Sequence, residues 1–147
     1  MRVVEAEIQL RTCALSDVGD GGGEDVVRAL QGLVDASAED DALLNFWELE
    51  SALLRQKSSS RVTPALAAVL ITALGSSLPE HVNKCVLELV LQIVRGQSDS
   101  AIGEIRQGLW MLYSHVFTKW RVIVENILRI VETDQGRLLK VLAEADC

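Results

Sequence analysis

From Val62 to Leu78 the chain carries no charged residue. A helix that is apolar around most of its circumference must be covered on more than one side, so this stretch belongs inside the protein with other elements packed about it. It does not read as a membrane span. Pro64, Thr72, Gly75, Ser76 and Ser77 interrupt it, and it falls short of the roughly 20 apolar residues that a bilayer demands. Thr63-Pro64 puts a capping hydroxyl before a proline suited to the first helical position, and Gly75 offers a stop. Together they predict a buried helix over 63–75.

Similar punctuation divides the rest of the chain. The run Gly19-Asp20-Gly21-Gly22-Gly23 is too flexible for a regular element, and Glu24 and Asp25 after it suit a helix N-terminus, which predicts a helix over 24–36 with Val26, Val27, Leu30, Leu33 and Val34 on its apolar side. Glu39-Asp40-Asp41 supplies caps for a helix over 41–57 that buries Leu43, Leu44, Phe46, Trp47, Leu53 and Leu54. Pro79-Glu80 opens a helix that runs to Gly96, a residue suited to a left-handed cap, with Val82, Cys85, Val86, Leu89 and Ile93 inward. Ser98-Asp99-Ser100 caps a fifth helix carrying Ile102, Ile105, Leu109, Leu112 and Val116 on one face. A sixth covers 117–132 through Trp120, Val124, Ile127 and Val131, and after Thr133-Asp134-Gln135-Gly136 a short last helix over 137–145 covers the core end with Leu138, Leu139 and Leu142. At the start, Val4, Ala6, Ile8 and Leu10 alternate with polar residues as in a strand, while Val4, Ile8 and Leu15 also fit a helix; with no partner strand in sight, a weakly amphipathic helix is the preferred reading. The expected fold class is therefore all-α, one domain over 1–147, with 1–23 an N-terminal segment and Gly-rich linker and 24–147 the helix pairs. Few aromatics (4%) and two prolines in 147 residues agree with helix packing rather than short strands.

The predicted helices that open each pair start near 24, 63 and 100, a recurrence of 37 to 39 residues that points to a helical-repeat array, with a globular bundle of the same helices as the alternative. In such an array a middle pair is covered on both sides, which accounts for the uncharged third helix. The stretches Thr63-Pro64-Ala65-Leu66-Ala67-Ala68-Val69-Leu70-Ile71, Leu87 to Gly96 and Glu104-Ile105-Arg106-Gln107-Gly108-Leu109 resemble bacterial HEAT-repeat-like proteins, over about two-thirds of the chain from Thr63 onward. The resemblance implies a HEAT-like α-solenoid of about three antiparallel helix pairs plus a short C-terminal capping helix, with a binding role and no catalytic residue to carry over. One departure is plain: Val116 to Arg121 has no acidic residue where a HEAT repeat has an Asp in its inter-helix turn.

Candidate chemistry is sparse. Cys13, Cys85 and Cys147 are odd in number and too far apart for a disulfide framework or a metal-ligand spacing, which favours a reducing cytoplasm. His81 and Cys85 stand four apart on one helix, the minimum for a Cys–His nucleophile, yet no orienting Asn or Asp follows at a matching step. Asp17, Asp20, Glu24 and Asp25 do not follow the alternating ligand order of an EF-hand, and the glycines between them lack the Lys-Ser/Thr of a phosphate loop. No cofactor, metal or enzymatic reaction is expected. Adjacent residues of a helix point to different faces, so at most half of the run Trp110-Met111-Leu112-Tyr113 can be core, and Trp110 or Tyr113 should lie at a boundary between helix pairs or on a partner surface.

The charge distribution says most about function. Residues 1–57 hold twelve acidic and five basic side chains, a net of −7, whereas residues 58–147 hold nine of each. This speaks against nucleic acid and anionic membrane surfaces; the acidic third is either a solvated face or a field that steers a basic protein partner. Among the polar stripes expected on the second helix of each pair (Asp41-Asn45-Glu48-Arg55, His81-Lys84-Glu88-Gln92-Arg95 and Arg121-Glu125-Arg129-Glu132), the first is the acidic one. The expected partner-binding residues are Glu39, Asp40, Asp41 and Glu48. The expected function is a non-enzymatic, cytoplasmic protein-binding module, in its most concrete form an immunity-type protein that neutralises a toxin. A general scaffold or adaptor, and an enzyme whose site the sequence hides, stay open beside it.

Overall fold

The computed structural model describes residues 23–36, 38–55, 62–75, 78–96 and 99–146, with the side chains of 23–25, 53–55 and 62 left aside. The N-terminal segment up to Gly22, including the strand-or-helix alternative for Val4 to Leu15 and the acidic glycine loop, lies outside the described residues. Within them every regular element is helical: α1 (Gly23–Val34), α2 (Glu39–Arg55), α3 (Val62–Ala73), α4 (Glu80–Arg95), α5 (Asp99–Arg106), α6 (Leu109–Ser114), a 3-10 turn (His115–Phe117), α7 (Arg121–Val131) and α8 (Gln135–Ala145).

Packing runs in two series. α1 packs on α2 and α3 on α4; in addition α2 lies against α4, α4 against α7, and α3 against α5. α3 is enclosed as its lack of charge demands, with every residue from Leu66 to Leu74 buried. Its lone polar side chain in that run, Thr72, donates to the Ala68 carbonyl at 2.8 Å, so no hydroxyl is left unsatisfied in the core. Leu70 and Leu89 are both fully enclosed.

Two histidines reach back to carbonyls just past the ends of earlier helices. His81 Nε2 lies 3.3 Å from the carbonyl oxygen of Ala36, just past the end of α1. His115 Nε2 lies 3.4 Å from that of Leu74, just past the end of α3. The last carbonyls of a helix have no partner within it, and a side-chain N–H from a later element meets that need.

The departures from the expected elements have local causes. The fifth helix is not continuous, because the chain leaves helical geometry at Gly108 (φ −114°, ψ 28°). A Cβ there would stand 2.3 Å from Ile71 Cγ1, so the absence of a side chain is what lets α3 approach the backbone at this bend. The sixth helix begins at Arg121 rather than 117, since Thr118 is extended and its hydroxyl donates to the His115 carbonyl at 2.6 Å and accepts from the Trp120 N–H at 3.2 Å. Gly96 closes α4 in right-handed, not left-handed, geometry, with its N–H directed to the Gln92 and Ile93 carbonyls. α8 starts two residues early because Asp134 caps it, accepting from the Arg137 N–H at 2.9 Å.

Apolar residues outside the contact stripes are displaced outward. On α2 the inward stripe is Ala42, Phe46, Leu49 and Ala52, at helical steps of three and four. Leu44 and Trp47, expected to be buried, sit off that stripe and are 57% and 55% exposed. Likewise Leu138 and Leu142 of α8 are buried, whereas Leu139 between them is exposed.

Candidate functional site

Two surfaces carry more chemistry than packing requires, one on α2 and one around α6 and α8. On α2, the three predicted residues Glu39, Asp40 and Asp41 form the first turn, where the positive end of the helix dipole favours them. Glu48 stands two turns further along, and all four are exposed. Asp40, Leu44, Trp47 and Ser51 follow one another at steps of four, three and four, so an exposed indole and an exposed leucine share a helix face with the carboxylates. Of the rest of the expected polar stripe, the side chain of Arg55 lies outside those described and Asn45 is turned partly inward. Asn45 is half-buried and its Nδ2 donates to the Asp41 carbonyl at 2.8 Å, while its amide fills the space left by Gly32 of α1. Gln92 of α4 donates to Glu50 Oε2 at 2.7 Å and so ties α2 to α4.

Glu132 was expected on the polar stripe of α7 and is instead buried at 3% exposure. Its carboxylate is saturated. One oxygen accepts from the Tyr113 hydroxyl and from Arg137 Nε at 2.8 Å; the other accepts from Arg137 Nη2 at 2.9 Å and from the Asp134 N–H at 2.9 Å. The paired Arg137 guanidinium, helped by the Tyr113 hydroxyl and the Asp134 N–H, outweighs burial and holds Glu132 down at about 2. Tyr113 is pushed up to about 12, first by burial and then by its bond to the carboxylate, against the opposing pull of Arg137. Arg137 is itself held more firmly protonated by Glu132. The site joins α6, the end of α7 and α8, and spacing gave no hint of it: Glu132 and Arg137 are five apart, with a turn between them.

Above this cluster opens a cleft of about 470 Å³. Leu109, Trp110, Phe117 and Val141 form its apolar walls, and Arg106, Arg137 and Glu144 its charged edge. Trp110 is 81% exposed while Tyr113 is buried, so of the aromatic pair singled out in the sequence, Trp110 is the one at the surface.

The remaining candidates are less suited to chemistry. Cys85 is a free, buried thiol, pushed up by burial and then by Glu88, with Lys84 opposing, which is the reverse of thiolate activation. His81, its expected partner, faces the Ala36 carbonyl. Among the described residues no group of three His, Cys, Asp or Glu side chains could hold a metal ion, and no helix is long and apolar enough to cross a membrane. No protein-family model, curated protein or solved structure matches the chain.

Proposed function

We propose that the chain is a non-enzymatic, HEAT-like helical-repeat module that binds a basic protein, and that it acts as an immunity-type protein neutralising a toxin. The observation that carries the binding reading is the α2 face, where exposed Leu44 and Trp47 stand among Asp40, Asp41 and Glu48. An apolar anchor ringed by charge is the usual anatomy of a protein-binding patch, and Trp is the residue type most enriched among dominant contacts. The acidic first third would steer a basic partner toward that anchor.

The repeat reading rests on three regularities. α1, α3 and α5 start at Gly23, Val62 and Asp99, a spacing of 39 and 37 residues. α2, α4 and α7 follow one another in contact, as second helices of stacked pairs would. The two histidine contacts to the ends of α1 and α3 recur between successive pairs. A reducing cytoplasm is the location that goes with the free thiol of Cys85.

Capture of the partner from the native cell is the test. The partner should be basic, toxic when expressed alone and harmless when co-expressed with this chain. Replacing Glu39, Asp40, Asp41 and Glu48 by Lys should slow association by about tenfold or more at low salt and flatten its salt dependence. An acidic partner, or an unchanged rate and salt dependence, rules the α2 face out. A multi-subunit assembly without toxicity makes the chain a scaffold or adaptor instead.

A further inference from the structure

The cleft beside α6 and α8 lies at the other end of the chain from the α2 face and is not used by the reading above. Its volume of about 470 Å³ falls among small-molecule sites, which span roughly 300–1,000 Å³. A flat protein-binding patch does not need such a hollow.

The polar edge narrows the ligand class. Arg137 donates Nε and Nη2 to Glu132, side by side, so one edge of its planar fork is fixed and the other edge, Nη1 with the outer N–H of Nη2, points away from that carboxylate. Arg106 is held by a single bond, its Nε donating to the Val131 carbonyl at 2.9 Å, which leaves its terminal nitrogens outside that bond. Two guanidinium forks on one cleft, each already held by its Nε, are preorganised for a planar anion that accepts two parallel N–H bonds. The charge of Glu132 is spent on four donors beneath the cleft, which leaves Glu144 as the one carboxylate on the lining. Trp110 and Phe117, 81% and 63% exposed, leave large ring surfaces open to a second apolar body.

We propose that this cleft binds a small apolar carboxylate: an aromatic or branched body seated against Trp110 and Phe117, with its carboxylate across the outer edges of Arg106 and Arg137. Glu144 opposes such a ligand, so the site discriminates against a second negative charge.

The test uses the full chain and 1-naphthylacetate as probe, with 1-naphthalenemethanol as the same ring system without charge. Binding is followed by the indole N–H resonance of Trp110, assigned through Trp110→Phe. The acid should shift that resonance saturably while leaving Trp47 unmoved, and the alcohol should bind about tenfold more weakly, the worth of one charge-assisted contact. Arg106→Gln should weaken the acid by about tenfold on the same grounds. Glu144→Gln should tighten it by about two- to fivefold, as removal of one exposed like charge would. Trp110→Ala removes an exposed side chain, leaves the fold in place and should abolish the acid's binding. Equal affinity for acid and alcohol, a weaker complex with Glu144→Gln, a shift at Trp47 instead of Trp110, or no saturable binding would each overturn the proposal.

Discussion

The carboxylates of α2 and that of Glu132 sit at opposite ends of the chain and do opposite work. Glu39, Asp40, Asp41 and Glu48 are exposed, and three of them crowd one helical turn. Glu132 is alone, buried, and accepts from four donors contributed by three residues. Net charge counts the first group four times and the second once. For stability the weighting reverses, because an exposed carboxylate keeps its water whereas a buried one depends wholly on its protein partners.

The largest effect should come from removing the buried acid. Glu132→Ala strips Arg137 and the Tyr113 hydroxyl of their acceptor and should cost about 3–5 kcal/mol in a urea-unfolding experiment. A loss under about 1 kcal/mol would place Glu132 with the α2 carboxylates and erase the contrast. Acid should reproduce much of the same loss. Glu132 lies at about 2 in the folded chain, below its ordinary 4.5, so its contribution is present above pH 4.5 and lost as the pH falls toward 2; the depression corresponds to about 3 kcal/mol. Tyr113 behaves in the reverse sense. Raised from 10 to about 12, it contributes below pH 10 and its contribution fades between 10 and 12. Stability attributable to this cluster should therefore show a plateau from about pH 4.5 to 10, whose acid limb is absent in Glu132→Ala.

Tyr113→Phe leaves Arg137 and the Asp134 N–H on the carboxylate and should cost less, about 1–3 kcal/mol. Neutralising Glu39, Asp40 or Asp41 removes only a favourable charge from a helix N-terminus, about 0.3–1 kcal/mol each. Glu48→Lys, in the middle of the exposed face, should move the unfolding midpoint by less than about 0.5 kcal/mol in energy terms. If Glu48→Lys proved as damaging as Tyr113→Phe, the α2 face would be part of the fold rather than a surface free for a partner.

Helix existence was legible in the sequence wherever caps and periodicity agreed. The enclosure of α3 followed from its lack of charge, and the inward residues of α4 from steps of three and four. What failed was the choice between adjacent apolar residues. Leu44 near Ala42, Trp47 beside Phe46, and Leu139 beside Leu138 compete for one narrow stripe, and only the position of the neighbouring helix decides which is shed. The break at Gly108 failed for a related reason: the side chain that requires it, Ile71, is far away in sequence. Glu132 looked like a surface residue because its partners lie on other helices and at a spacing of five, which no single-helix pattern can register. The cleft was foreshadowed only by the observation that at most half of the run from Trp110 to Tyr113 could be core, which left Trp110 or Tyr113 for a boundary or a surface.

α8 buries only Leu138 and Leu142, an apolar hold that by itself would let the helix open locally. Here its Arg137 reaches Glu132, and Glu132 in turn holds Tyr113 on α6, so opening α8 strands a buried negative charge. The three elements consequently form one opening unit. In native-state hydrogen exchange the central amides of α8 should report the same opening free energy as those of α6, and the last stretch of the chain should be lost in a single step rather than frayed residue by residue.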